Sequence, residues 1–214
     1  MSLAHAEVNT ARLLDRVVDA APQFELIEIE GDAAFLARPT EAMDSDAAVA
    51  LTLDAAMAMH RAFHLERQYV TTNLCPCHSC SEATNLKLKF VAHIGDVATQ
   101  TIRRRRKLVG IDVILVHRLL KNPVEVPEYL LFSEELYRTA QPPIMAPAHE
   151  VSQDIEGIGP VRTYFVDVAD LPSAPPLQAD TSLIGRVRRT LGVAGSGMPY
   201  MLGLRRPRRT AAAF

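Results

Sequence analysis

Between Leu86 and Asn122 the apolar positions change period twice. Leu86, Leu88 and Phe90 alternate with Lys87 and Lys89. That two-residue period belongs to a half-buried strand and predicts one over Leu86 to His93. A second strand is expected over Asp96 to Ile102, then a basic turn, then a helix opening at Asp112. Its apolar positions Val113, Val116, Leu119 and Leu120 recur at helical spacing, and Asp112 is placed to cap it. Two strands and a helix make one unit of a layered α+β domain.

The rest of the chain supplies the neighbours of that unit. Ala11, Leu14, Val17, Val18 and Ala21 share one side of a helix over Asn9 to Ala21, which Pro22 ends. Phe24 to Ile29 reads as a strand, Glu30-Gly31-Asp32 as a tight turn, and Ala33 to Ala37 as the return strand of a hairpin with an acidic tip. A linker then leads to a long helix from Asp44 or Ser45 to Arg67, with Leu51, Ala55, Met59 and Phe63 at four-residue steps. Glu128 to Phe132 is expected as a strand, with Ser133 capping a short helix over Glu134 to Arg138. Residues 150–156 and 161–168 predict an antiparallel pair turned at Gly157 to Pro160. Beyond Leu171, Pro, Ala, Gly and Arg dominate. This predicts a flexible extension over 171–214 with one short helix near Leu183 to Leu191.

Composition narrows the picture. A chain of 214 residues suits one core, placed here over residues 1–170, and the lack of tryptophan leaves Leu, Val, Ile and Ala to build it. No apolar run is long enough to span a membrane. The opening MSLAHAEVNTARL lacks the basic-then-apolar pattern of an export signal, so a cytoplasmic location is expected. The net charge of −2 hides an asymmetry: seven arginines and no acid follow Asp180, which leaves −9 on the remainder. Such an acidic body argues against specific nucleic-acid binding. The basic tail suits contact with an anionic surface.

The most specific chemistry lies at 71–85. Cys75, Cys77 and Cys80 form C-x-C-x-x-C, with His78 inside the loop and His64 upstream. Three thiolates and one imidazole are a sound tetrahedral zinc set. The fourth ligand is open between His78, His64, a more distant histidine and a partner chain. A mostly thiolate shell leaves no open position, so the zinc would be structural. The competing reading is a loop of partly buried free thiols without metal.

Three other features have a bland and a sharp reading. The Glu30-Gly31-Asp32 turn is common in any fold, yet it also suits a carboxylate aimed at a divalent ion. Arg103 to Lys107 is five consecutive bases, read first as a solvated hairpin loop and second as a phosphate-contacting one. Arg118 on a helix face is more often a surface ion-pair partner than a catalytic group.

Taken in order, EIEGDAAF from Glu28, FVAHIGDV from Phe90 and GIDV from Gly110, running to His117-Arg118-Leu119, resemble the class III adenylate and guanylate cyclase catalytic domain. The resemblance is closer still to a bacterial family of unknown function related to those cyclases. In that family an EGDA hairpin, a CPC-x-x-C loop, an LKFV-x-H-x-G strand and a VHRLLKN helix follow one another. All four occur here, over roughly residues 5 to 168.

The resemblance implies a ferredoxin-like fold with a central antiparallel sheet, used as a facing homodimer with a purine nucleotide between the domains. It places Asp32 at the second metal aspartate, holding magnesium or manganese weakly, and Arg118 at the transition-state arginine. Ile114 stands where an asparagine is expected, and Glu28 and Lys107 take the two purine-selecting positions. The strand carrying the first metal aspartate would precede the opening helix, so the first strand is expected to be missing here. Each lost contact would cost about 2–4 kcal/mol of transition-state stabilisation. The expected function is therefore a degenerate, catalytically inactive cyclase-like module that binds a nucleotide or a protein. The alternatives are an active nucleotidyl cyclase or metal-dependent phosphotransfer enzyme completed by an upstream segment, and a zinc-stapled assembly domain.

Overall fold

The structure, a computed structural model, describes residues 2–40, 43, 45–72, 78–139, 147–171, 182–202 and 204. The chain forms two compact units, one from residues 1–19, 61–86 and 176–214, the other from 20–60 and 87–175. No helix among the described residues is long and apolar enough to cross a membrane.

The first unit is helical. It holds α1 (Ser2–Asp19), the C-terminal part of α2 (Ser45–Thr71), α3 (His78–Glu82) and α6 (Leu183–Met201). The buried stripe of α1 is His5, Asn9, Leu13 and Val17, at strict four-residue spacing, while the expected core residue Ala11 is exposed. The rotation follows from Glu66, buried on α2, which Arg12 Nη2 approaches to 2.6 Å and Arg16 Nε to 3.6 Å. Leaving that carboxylate buried without partners would be costly, so the arginines set the face that α1 presents. Helix α6 runs for 19 residues, well past the expected Leu191. Its Ser182 Oγ accepts from the Gly185 N–H at the N-terminus.

The second unit is built on a four-stranded sheet in the order β3 (Phe90–Ala92), β6 (Tyr129–Ser133), β8 (Gly159–Asp167), β7 (His149–Ile155). Strand β6 is a continuous apolar run and is buried at every position. Leu130 and Phe132 pack with Val166 against Val49 and Ala56 of α2 and Leu136 of α5 (Glu134–Arg138). Tyr129 and Leu131 point the other way, onto Leu115 and Leu119 of α4 (Ile111–Leu119) and onto Ile155. The sheet is mixed, not wholly antiparallel: β3 and β6 run parallel, as strands joined through the crossover helix α4 must. Ser133 caps α5 as expected, accepting from the Leu136 N–H.

Strand β3 is shorter than the alternation at Leu86 to Lys89 suggested. The Leu88 N–H donates to Glu128 Oε1 at 2.9 Å instead of to a neighbouring strand. Two hairpins complete the unit: β1 (Glu25–Glu30) with β2 (Ala33–Ala37), and β4 (Ala98–Ile102) with β5 (Arg105–Val109). Gly31 takes φ 62° at the first position of its two-residue turn, which an L side chain resists. The five-base run is divided: Arg103 and Arg104 make the β4–β5 turn, and Arg105 to Lys107 lie in β5. Asp112 does not cap α4. The N-cap position is Gly110, and Asp112 in the first turn reaches back to β3.

Candidate functional site

Helix α4 owes its seat to a polar clamp. The His93 side chain, 6% exposed, has Nε2 3.0 Å from Asp112 Oδ1 and Nδ1 2.7 Å from Ser133 Oγ. The other Asp112 oxygen accepts from the Asp96 N–H at 2.8 Å. Gly95 makes room for the clamp, since a Cβ built there would lie 2.4 Å from Asp112 Cγ. With the first turn fixed in this way, the outward face of α4 is also fixed.

That face borders an open cleft of about 350 Å³ in the second unit. Hairpin β1–β2 contributes Ile27, Glu28, Glu30 and Phe35; β5 contributes Lys107 and Leu108; α4 contributes Val113, Ile114, His117 and Arg118. The register of β1 slips between Leu26 and Glu28, a bulge at Ile27. The extra residue lets Ile27 and Glu28 both serve the cleft wall.

Most of the charge in the cleft is paired. Lys107 Nζ lies 2.9 Å from both carboxylate oxygens of Glu28. His117 Nδ1 lies 3.4 Å from Glu30 Oε2, and its ring meets Phe35 edge-on at 4.9 Å. Arg106 pairs with Glu25 beside the cleft. Arg118 is different: exposed at the cleft wall, it has no ion pair among the described residues. Its guanidinium reaches towards the β7–β8 turn, where a Cβ on Gly157 would lie 3.7 Å from Nη1.

Glu28, Lys107, Ile114 and Arg118, scattered along the sequence, therefore share one cleft within a single chain. Asp32 stands at the exposed tip of the β1–β2 turn and is not among the lining residues. Sequence reasoning missed Glu30, Phe35 and His117, whose pairings across the cleft leave no local pattern. It also gave no role to His93, although that residue sits inside the LKFV-x-H-x-G motif.

The zinc residues are placed unevenly. Cys75 and Cys77 lie outside the described residues. Cys80 is buried on α3, with its Sγ 3.8 Å from His5 Nδ1. The side chain of His78 is 80% exposed and pairs loosely with Glu82 at 3.9 Å. His64 is on α2, one turn beyond His60, whose Nε2 lies 3.2 Å from Glu128 Oε2. These imidazole and carboxylate groups are donors of a kind that holds a metal ion.

Mixed sheet, flanking helices and a cleft beneath the α4 face together define a class III nucleotidyl-cyclase-like α+β fold. The crystal structure of the guanylyl cyclase Cya2 is similar, with a TM-score of 0.57 at 14% identity, covering 78% of this chain and 82% of that one. A structure of adenylate cyclases from Trypanosoma brucei gives a TM-score of 0.45 at 15% identity, over 79% of this chain and 81% of that one. The chain belongs to the family described as "Protein of unknown function (DUF2652)", whose model matches residues 10–129. It is 37% identical over 199 residues to the "Uncharacterized protein Rv2561/Rv2562" of Mycobacterium tuberculosis, covering 92% of this chain and 90% of that protein.

Among the described residues Asp32 belongs to no group of three donors close enough to share an ion. Ile114, 47% exposed, brings no polar atom to the cleft.

Proposed function

We propose that this chain is a regulatory nucleotidyl-cyclase-like module that binds a purine nucleotide in the Glu28–Lys107–Arg118 cleft and does not cyclise it. The observation that carries this reading is Arg118, an exposed guanidinium without an ion pair among the described residues, in a cleft whose other charges neutralise one another. A planar, permanently charged donor fork suits a phosphate. The Glu28–Lys107 pair is partly exposed, at 33% and 40% for the two side chains. Separating such a pair costs less than about 1 kcal/mol, so a base edge can displace it.

Catalysis needs more than this cleft supplies. An in-line attack on the α-phosphate requires metal-held oxygens and a stabilised leaving group, and Asp32 with Ile114 offers one carboxylate and a hydrocarbon. The module works as a homodimer: Ile111 and Ile114 leave an apolar face of α4 exposed at 58% and 47%. The expected stripe was Val113, Val116, Leu119 and Leu120, but Leu119 is spent on the chain's own core. A zinc at the cysteine cluster serves as a staple, a role favoured by the deep burial of Cys80.

Titration calorimetry with ATP and GTP, run beside a cyclic-nucleotide assay with magnesium and manganese, tests the reading. Binding that is lost in Arg118→Ala, with no product, supports it. Cyclic nucleotide formation abolished by Asp32→Ala would replace it with an active cyclase or phosphotransfer enzyme. No binding of either nucleotide would leave the zinc-stapled assembly domain.

A further inference from the structure

Helix α6 of the first unit turns apolar side chains to solvent. Leu183, Ile184, Val187, Leu191 and Met198 are all exposed, from 48% at Val187 to 83% at Ile184. At 3.6 residues per turn these five positions fall within about 100° of the helix circumference and form one stripe. On the other side a Cβ on Gly192 would meet Tyr69 Oη at 3.6 Å, so α6 rests on its own unit through a small residue and not through the stripe. Single apolar residues on a surface are ordinary, but five on one side of a helix mark a contact face. By the same angular count, Arg188 borders the stripe on one edge and Arg186 on the other. Neither has an ion pair among the described residues. Helix α6 contains no acidic residue, and the sequence after Asp180 holds seven arginines and no acid.

We propose that α6 binds the surface of an anionic lipid bilayer, lying in the plane of the interface with its stripe at the acyl boundary and Arg186 and Arg188 at the headgroup phosphates. An interfacial helix needs a stripe sharply divided from cationic flanks, and too little total hydrophobicity to span. Helix α6 has both, since it is not apolar enough to cross a membrane. The two attractions act together: the bilayer removes Leu183, Ile184 and Leu191 from water, while its negative surface potential draws in the arginines. Arginine stems are long enough to reach headgroups from the edge of a buried stripe. A nucleic acid would engage the arginines and leave the leucines wet. A second copy of the chain would cover the leucines but bring the same unpaired arginines with it. An anionic bilayer satisfies both at once. The nucleotide cleft lies in the second unit and plays no part in this contact.

The test floats the full chain with vesicles of phosphatidylcholine alone and of equimolar phosphatidylcholine and phosphatidylglycerol. The wild type is expected to float with the mixed vesicles, less as salt rises, and to stay behind with phosphatidylcholine alone. Leu183→Glu combined with Leu191→Glu should lower partitioning by more than about tenfold. Arg186→Gln combined with Arg188→Gln should lower it on the order of tenfold and flatten the salt dependence. Leu86→Glu, at an exposed apolar position outside α6, should bind as the wild type does. Circular dichroism checks that each variant folds. The chain has no tryptophan, so Leu191→Trp adds a single indole whose emission shifts to the blue on mixed vesicles, and this decides the matter if a double variant does not fold. Absence of flotation, or flotation unchanged in the Leu183→Glu, Leu191→Glu protein, overturns the proposal. So does a dimer mass that halves in that protein without vesicle binding, which assigns the stripe to a second copy. Retention of polyuridylate in place of vesicles overturns it in favour of nucleic acid.

Discussion

Asp112 Oδ1 and His93 Nε2 lie 3.0 Å apart, tying the first turn of α4 to the end of β3. The bonds agree with one another when the Ser133 hydroxyl donates to Nδ1, the Nε2–H donates to Asp112, and Asp112 also accepts from the Asp96 N–H. A carboxylate in the first turn of a helix is favourable in any case. Here it also sets where Arg118, near the end of the same helix, meets the cleft.

Gly95 is the residue that permits this clamp. A methyl group there would meet Asp112 Cγ at 2.4 Å and His93 Nε2 at 2.7 Å, so the pair must separate. Gly95→Ala is expected to lower stability by about 1–3 kcal/mol, read as a lower midpoint in urea. Its nucleotide affinity should fall as well, because α4 is re-seated. An unchanged midpoint would mean that α4 is held by its apolar contacts alone.

Tyr129 makes stability fall at alkaline pH. Burial raises its pKa above the ordinary 10.0, and the hydrogen bond to Asn122 opposes that shift only in part. The folded chain therefore holds the phenol proton at a pH where the unfolded chain has released it. That contribution is complete below about pH 10 and is lost as pH rises through the raised value. Tyr129→Phe should flatten the decline above about pH 10 while costing about 1 kcal/mol at neutral pH through the lost bond. Urea titrations at a series of pH values report both.

What could be read in the sequence was local. The run YLLFS, the Ser133 cap, the Gly31 turn and the β7–β8 pair each depend on residues a few positions apart, and each occurs as expected. Where the expectation differed, a distant side chain decided. Glu128 bonds the Leu88 N–H from 40 residues away and ends the ladder early. Arg12 bonds Glu66 across 54 residues and turns α1 so that His5 and Asn9 face inward. The site divides in the same way. Arg118, Glu28 and Lys107 were singled out through a resemblance of motifs, but the bonding of Glu28 to Lys107 joins residues 79 apart and has no signal in either neighbourhood.

The β4–β5 turn carries strain that can be removed. Arg103 and Arg104 hold φ of 47° and 66°, a conformation in which Asn-Gly is the preferred pair for a two-residue hairpin. Replacing both, as Arg103→Asn with Arg104→Gly, should raise stability by about 1–2 kcal/mol. If these arginines also touch the phosphates of a ligand, the same variant will bind ATP more weakly and lose part of its salt dependence. More stability with unchanged binding would mark the turn as solvated surface only.

The Glu28–Lys107 pair should set which base the cleft prefers. With both charges present they neutralise each other: Lys107 Nζ sits 2.9 Å from each oxygen of Glu28 and leaves little of the carboxylate for a ligand. Lys107→Ala would remove the ammonium that covers both oxygens of that carboxylate. A carboxylate relieved of this pairing accepts parallel hydrogen bonds from the N1–H and N2–H₂ edge of guanine, whereas adenine offers a donor beside an acceptor that repels the second oxygen. The variant should therefore favour GTP over ATP by about tenfold more than the wild type, the equivalent of one additional charge-assisted hydrogen bond. Glu28→Ala should lose the preference, since the lysine left behind only attracts acceptors that both bases carry. Calorimetric titrations of the three proteins with the two nucleotides, at fixed ionic strength, measure the ratio directly. An equal change for both nucleotides in Lys107→Ala would place the base elsewhere in the cleft and leave Arg118 as its phosphate contact.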